Sequence, residues 1–351
     1  MTPRVTQRDI ARKADVSHVT VSLALRGDPS IPEKTRKRIE KIAKLLGYSP
    51  DPLLTALASY RSQNRPASYH ANIGWLTSSP HAGKMGLGDF HLYYKGAEAR
   101  AKQLGYVLDE VNLLGDHKDY KWLQRLLSAR NITGLVLAPS HTTGAAFGFD
   151  LSHYSAVRIG YSYRSPILHT VANSQFRTVL IAMQKVAALG YRRIACILTE
   201  DLDERTSWQF LGGYLAGQHL VPRKDWIPPF YTAPMVDPTQ AFYEWVLKNR
   251  VECFIAPGYN ILYQNLVQRG LKIGYADTQV LEDDKFFGGI HQNSRQVGVA
   301  AIDLLVSMMH RNDIGIPPIP SQLLIEGSWR EGKTLKKFRS RASSHPHRGR
   351  T

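Results

Sequence analysis

From about residue 69 to residue 330, short apolar runs alternate with longer helical stretches. The strand-like runs are IGWLT (73–77), ITGLVLAP (132–139), AVRIGY (156–161), RIACILT (193–199), VECFIAP (251–257) and LKIGYAD (271–277). Between them lie helical runs at 93–105, 119–130, 176–190 and 295–311. Parallel strands cannot be joined by a tight turn, so each needs a crossover, which a helix supplies. Alternation of this kind therefore predicts parallel sheets with helices on both faces. The tripeptide LGY recurs at 46–48, 104–106 and 189–191. It reads as one helix-stop device used three times, with glycine at the left-handed cap.

Charge is placed unevenly around this body. The chain of 351 residues carries a net +16. Residues 1–66 hold 13 Lys/Arg against 6 Asp/Glu, and residues 330–351 hold 8 against 1. A basic head and a basic tail on a near-neutral body point to a polyanion partner, nucleic acid above all. Cys196 and Cys253 sit in apolar runs and read as buried, reduced thiols. No tract is long enough to cross a membrane, and the first residues have no apolar core of a leader, so a cytoplasmic location is expected.

The head carries the sharper motif, in the stretch VTQRDIARKADVSHVTVSLALRG (5–27). Thr6 followed three residues later by Asp9 predicts a capped helix start, with Ile10, Ala11 and Ala14 on one side. Asp15-Val16 makes a short turn, and Ser17 caps a second helix whose Val21, Ala24 and Leu25 face inward. Gly27 ends it. Two short helices across a tight turn form the unit that lays its second helix in the DNA major groove. The outward residues are His18, Val19, Ser22, Leu23 and Arg26. His18, Ser22 and Arg26 can donate to bases or phosphates, and a thymine methyl is one natural partner for Val19 and Leu23, which could instead finish the small core.

A third helix starts near Pro32 and closes at Gly47, with Ile39, Ile42, Ala43 and Leu46 inward. Its other side carries Lys34, Arg36, Lys37, Arg38, Lys41 and Lys44, some of which should touch phosphates. Asp51-Pro52 then starts a short apolar helix, LLTALASY, which cannot bury itself alone. A polar linker comes after it.

The order of these pieces resembles the LacI-type transcription regulators, the LacI/GalR family. The likeness rests on RDIARKADVSHVTVSLALRG, the IPEKTR start of the third helix, LGYSP and the short helix after it. The resemblance implies an N-terminal all-α helix-turn-helix head with a hinge helix, followed by two α/β doubly wound lobes of periplasmic-binding-protein-like form. The boundaries are then 1–48 for the head, 49–68 for the hinge helix and linker, 69–330 for the two-lobed effector-binding and dimerisation domain, and 331–351 for a basic, disordered tail. It implies a homodimer on a palindromic operator, with base reading by His18, Val19 and Leu23 and supporting DNA contacts from Thr6, Ser17, Thr20, Ser22, Arg26 and Tyr48. It also implies that Leu57 of each hinge wedges into the minor groove, a device whose unstacking cost is offset by contacts to bent DNA. This chain has Leu23 where many members have arginine and Val19 where they have a polar residue, so its half-site should depart from the common one.

The resemblance further implies a small-molecule effector, sugar-like, between the lobes and outside the carboxyl ends of the strands. Loop residues there are Phe90, Ser140, Tyr161, Arg205, Trp208 and Asp277. They combine aromatic faces with a few polar groups, which suits a small polar ring. The family's acidic residue ahead of Asp277 is here Ala276.

GSWREGKT (327–334) matches the phosphate-loop pattern. Such a loop must lead into a helix, but the stretch after Thr334 is basic, contains Pro346 and lacks apolar periodicity. The match reads as coincidence. LLIEGSW (323–329) reads instead as the last strand of the body. There is no G-x-S-x-G, no H-E-x-x-H and no paired-cysteine spacing, so neither an enzyme nor a cofactor or metal is expected. The expected function is a sequence-specific repressor controlled by an effector. The alternatives are an architectural DNA binder without an effector, or a nucleotide hydrolase at 327–334.

Overall fold

The computed structural model describes residues 6–25, 31–46, 48, 71–78, 89–114, 119–140, 142–232 and 240–337. Arg26, Gly27, Gly47, the expected hinge helix with Leu57, and the tail after residue 337 lie outside the described residues.

The head is three helices: α1 (Gln7–Ala14), α2 (His18–Leu25) and α3 (Glu33–Leu45). Asp9 closes the start of α1, accepting from the Thr6 amide at 2.9 Å and the Thr6 hydroxyl at 2.6 Å. These bonds hold its carboxyl below the usual carboxylate range. Asp15 ends α1 in the left-handed conformation. Ser17 Oγ accepts from the Thr20 amide at 3.0 Å, which is the expected cap of α2. Ile10, Ala14, Val21, Ala24 and Ile39 close the small core.

The first lobe opens with β1 (Ala71–Thr77), α4 (Asp89–Gln103), β2 (Tyr106–Asn112), α5 (Tyr120–Ala129), β3 (Ile132–Leu137), β4 (Ala145–Ala146), β5 (Ser155–Ile159), β6 (Tyr163–Ser165) and β7 (His169–Asn173). The second lobe continues with α6 (Gln175–Ala188), β8 (Ile194–Leu198), α7 (Glu200–Arg205), α8 (Gln209–Gly217), β9 (Phe230–Tyr231), α9 (Gln240–Lys248), β10 (Cys253–Ala256), α10 (Asn260–Gln268), β11 (Gly274–Asp277) and β12 (Gly288–His291). The chain then returns to the first lobe for α11 (Ser294–Arg311) and β13 (Gln322–Ile325), and ends in the second with β14 (Ser328–Arg330).

The first sheet runs β13-β7-β5-β3-β1-β2, with every pairing parallel. The second runs β14-β12-β11-β10-β8-β9, parallel except for the antiparallel β12–β14 pair. Both sheets are covered on two faces. In the first lobe, Ala97 and Leu305 pack on one face, and Leu123 and Leu127 on the other. In the second, Met183 and Tyr214 pack on one face, and Phe242 and Leu266 on the other. The chain passes between lobes at 173–175, 291–294 and 325–328.

Two expectations change here. LLIEGSW is not one strand: β13 and β14 belong to different sheets, and Glu326-Gly327 between them is the third passage. Asn293 Nδ2 anchors that passage by donating to the Glu326 carbonyl at 2.8 Å. The body also runs past residue 330, since Thr334 and Leu335 are buried in the second lobe. Cys196 and Cys253 are free and fully buried, and burial pushes both thiols up. No helix among the described residues is long and apolar enough to cross a membrane.

Candidate nucleic-acid interface and effector cleft

On the head, α2 turns His18 and Val19 outward. His18 is exposed, and Val19 is 63% exposed despite its apolar side chain. Ser22 and Leu23 are half-buried, and neither Val19 nor Leu23 belongs to the head core. Thr20 is held against the cap, its hydroxyl 2.8 Å from Ser17 Oγ. Thr6 caps α1, and Tyr48 packs on the head core with its amide donating to the Ala43 carbonyl at 3.0 Å. Of the basic residues on α3, Arg38 donates to the Ala14 carbonyl at 3.0 Å and so ties α3 to the end of α1. Lys37 pairs with Glu33 at 2.7 Å on the exposed surface.

Between the lobes lies a cleft of about 240 Å³. Three of the residues expected to hold an effector, Phe90, Tyr161 and Arg205, line it. Tyr161 is directed by its hydroxyl, which donates to Gln322 Oε1 at 3.1 Å, and burial raises its pKa. Ser140 lies just behind the wall. It is buried, its amide donates to Ser162 Oγ at 2.8 Å, and its carbonyl is 3.4 Å from Arg205 Nη1.

The other two expected residues fall outside the lining. Trp208 is 55% exposed and adopts the left-handed conformation at the start of α8, where its amide donates to the Asp203 carbonyl at 2.7 Å. Asp277 is buried under the wall, and its Oδ1 accepts from the amides of Gly258 at 2.9 Å and Gln279 at 2.8 Å. Burial raises its pKa against the pull of those bonds. Its place in the fold is to shape the turn that delivers Gln279 to the cleft.

Sequence reasoning missed several wall residues, among them Tyr93, Asn173, Gln175, Phe210 and Gln279. Tyr93 donates to Asn173 Oδ1 at 2.6 Å, Asn173 Nδ2 to the Gln292 carbonyl at 2.6 Å, and Gln292 Nε2 to the Thr278 carbonyl at 2.8 Å. This buried chain of amides joins the wall to two of the passages between lobes. The signal available in the sequence was positional: Asn173 and Gln175 flank the first passage. At the rim, Arg164 of the first lobe meets Glu204 of the second at 2.9 Å, and Thr143 donates to Asp201.

GSWREGKT is structural. Thr334 Oγ1 donates to the Tyr275 carbonyl at 2.8 Å and accepts from the Gly288 amide at 3.0 Å. The Lys333 amide donates to the Phe286 carbonyl at 2.7 Å, so this amide is not turned toward a phosphate. Residues 331–337 form no helix, which removes the anion-binding helix terminus such a loop requires. Among the described residues, no group of three His, Cys, Asp or Glu could hold a metal.

Residues 6–51 match the family model described as bacterial regulatory proteins, lacI family. The HTH-type transcriptional regulator GntR of Pseudomonas aeruginosa is 41% identical over 216 residues, which are 58% of this chain and 56% of that protein. The HTH-type transcriptional repressor PurR of Aliivibrio salmonicida is 23% identical over 323 residues, covering 86% of this chain and 91% of that one. A lac repressor dimer solved with operator and the anti-inducer ONPF shares the fold, with a TM-score of 0.52 at 20% identity over 95% of this chain and 100% of that one. Head and body thus point the same way: the head matches the lacI family model, and the two-lobed body shares the fold of a lac repressor.

Proposed function

We propose that the chain is a DNA-binding transcriptional repressor whose hold on its operator is set by a small molecule in the interlobe cleft. The observation that carries this reading is the outward face of α2, which offers His18, Val19 and Leu23 from a head built for groove insertion. A homodimer would place two such heads on a palindromic site. Leu57 is proposed as the minor-groove wedge between them.

The effector would act by favouring one arrangement of the lobes over another. A coupling of about 1–3 kcal/mol would change operator affinity roughly 5- to 150-fold. The cleft supports this role because its walls come from both lobes and its amide chain reaches the passages between them. The test is to select duplexes from a random pool and then titrate the selected site. The reading expects a two-fold symmetric consensus and specific binding that weakens with salt. Equal affinity for selected and scrambled duplexes would overturn it.

A further inference from the structure

The cleft walls hold an unusual balance of charge. Phe90, Tyr93, Tyr161 and Phe210 supply rings, while Asn173, Gln175 and Gln279 supply amides. Arg205 supplies the one charge, and no Asp or Glu lines the cleft among the described residues. A low-dielectric cleft lined by one sign of charge concentrates the opposite sign.

A second cation lies just behind. Arg158 is 7% exposed, on the strand that delivers Ile159 and Gly160 to the wall. Its Nε donates to Thr170 Oγ1 and its Nη1 to the Tyr163 carbonyl, both at 2.8 Å and both neutral acceptors. Its charge also reaches Tyr161 in the wall. A buried cation held by neutral groups keeps a field that an anion nearby would relieve. Arg205 does have a carboxylate neighbour, Asp201, 3.3 Å from Nε. That carboxylate is half-exposed and outside the lining, so solvent screens much of its charge.

The shape of the donor set narrows the anion. A guanidinium is a planar fork that matches a carboxylate or a phosphate, so charge and size must decide between them. A phosphate monoester carries close to two charges, and the wall offers one guanidinium to bond it, since Arg158 behind it already donates to Thr170 and Tyr163. The cleft, about 240 Å³, is smaller than most ligand pockets, which run from about 300 Å³ upward, so the ligand must be small. Side-chain amides both donate and accept, as hydroxyl groups require.

We propose that the cleft takes a small hydroxylated carboxylate, with its carboxylate on Arg205, its hydroxyls on the amides of Asn173, Gln175 and Gln279, and its carbon edge against the rings. This rests on the reading of the cleft as the effector site. The test is calorimetric titration of the full chain with a panel of aldonates and uronates from tetrose to hexose, each matched with its neutral aldose, plus the matching sugar phosphates. At least one acid should bind about 10- to 100-fold tighter than its neutral parent. Arg205→Gln should erase that preference, and Arg205→Lys should keep part of it.

Neutral parents bound as tightly as the acids, a preference for the phosphates, or no acid bound at all would each overturn the proposal. So would a preference that survives Arg205→Gln in a variant that melts like the wild type. The same preparation is run against the selected operator. Failure there counts against the repressor reading alone, while the ratio of acid to neutral affinity still decides this one.

Discussion

Val19 stands 63% exposed on the outward side of α2, one turn from the half-buried Leu23 and outside the head core. An apolar side chain in that position gains nothing from water and would gain from a thymine methyl. Val19→Ala should therefore weaken binding to the selected site by about 1 kcal/mol, roughly fivefold. The loss should vanish on a duplex with that thymine replaced, measured by mobility shift on both duplexes. Equal losses on both would remove Val19 from base reading. Asp203 makes a different residue-scale case. It is fully buried, Tyr231 donates to its Oδ2 at 2.6 Å, and its Oδ1 has no hydrogen-bond partner. Burial raises its pKa above the ordinary 3.8. Stability from a raised carboxyl is present below the ordinary value and lost as pH rises through the folded value. Asp203→Asn removes that loss, so thermal scans should show the variant gaining on wild type at neutral pH. The gain should shrink as pH falls toward 3.8. A gap independent of pH would mean that folding leaves the pKa of Asp203 where it is in the unfolded chain.

At the scale of elements, packing explains what pattern could not. Gly332 faces the Phe287 carbonyl carbon and the Gly288 amide, which a Cβ would overlap. Gly332→Ala should cost about 1–3 kcal/mol through overpacking, read as a lower melting temperature. Lys333→Ala, on an exposed side chain, should stay within about 0.5 kcal/mol. The reverse order would reopen the phosphate-loop reading. The runs that read as strands became β1, β3, β5, β8, β10 and β11, because each is apolar on both faces and bounded by polar residues. β7 escaped notice because HTVAN is short and polar at both ends, and with it went Asn173 and Gln175 of the wall. α8, QFLGGYLAG, hides its helicity behind three glycines. Gly213 and Gly217 sit where a Cβ would run into Phe176 and Met183 of α6, so two helices approach closely enough to exclude side chains. Strand-end logic picks out Phe90, Tyr161 and Arg205, which line the cleft, and Trp208 and Asp277, which do not, because an aromatic or acid past a strand can also serve the loop's own geometry.

For the whole molecule, the question is what holds the lobes in the arrangement that forms the cleft. The passages at 173–175, 291–294 and 325–328 tether one side. The Arg164–Glu204 pair and the Thr143–Asp201 bond bridge the rim. Both members of the ion pair are largely exposed, at 76% and 50%, so the pair is worth at most about 1 kcal/mol. That is small against folding but not against a lobe equilibrium poised within a few kcal/mol. If the effector favours the bridged arrangement, a lost bridge must be made up by effector binding. Glu204→Gln should then raise the effector concentration that half-changes operator affinity, by up to about fivefold. Arg164→Gln should do the same, and the double variant should do no more than either alone, because both remove one contact. Titration of operator binding against effector in the four proteins measures the cycle. Additive shifts would mean that the two residues act separately, and that the bridge is not part of the equilibrium the effector moves.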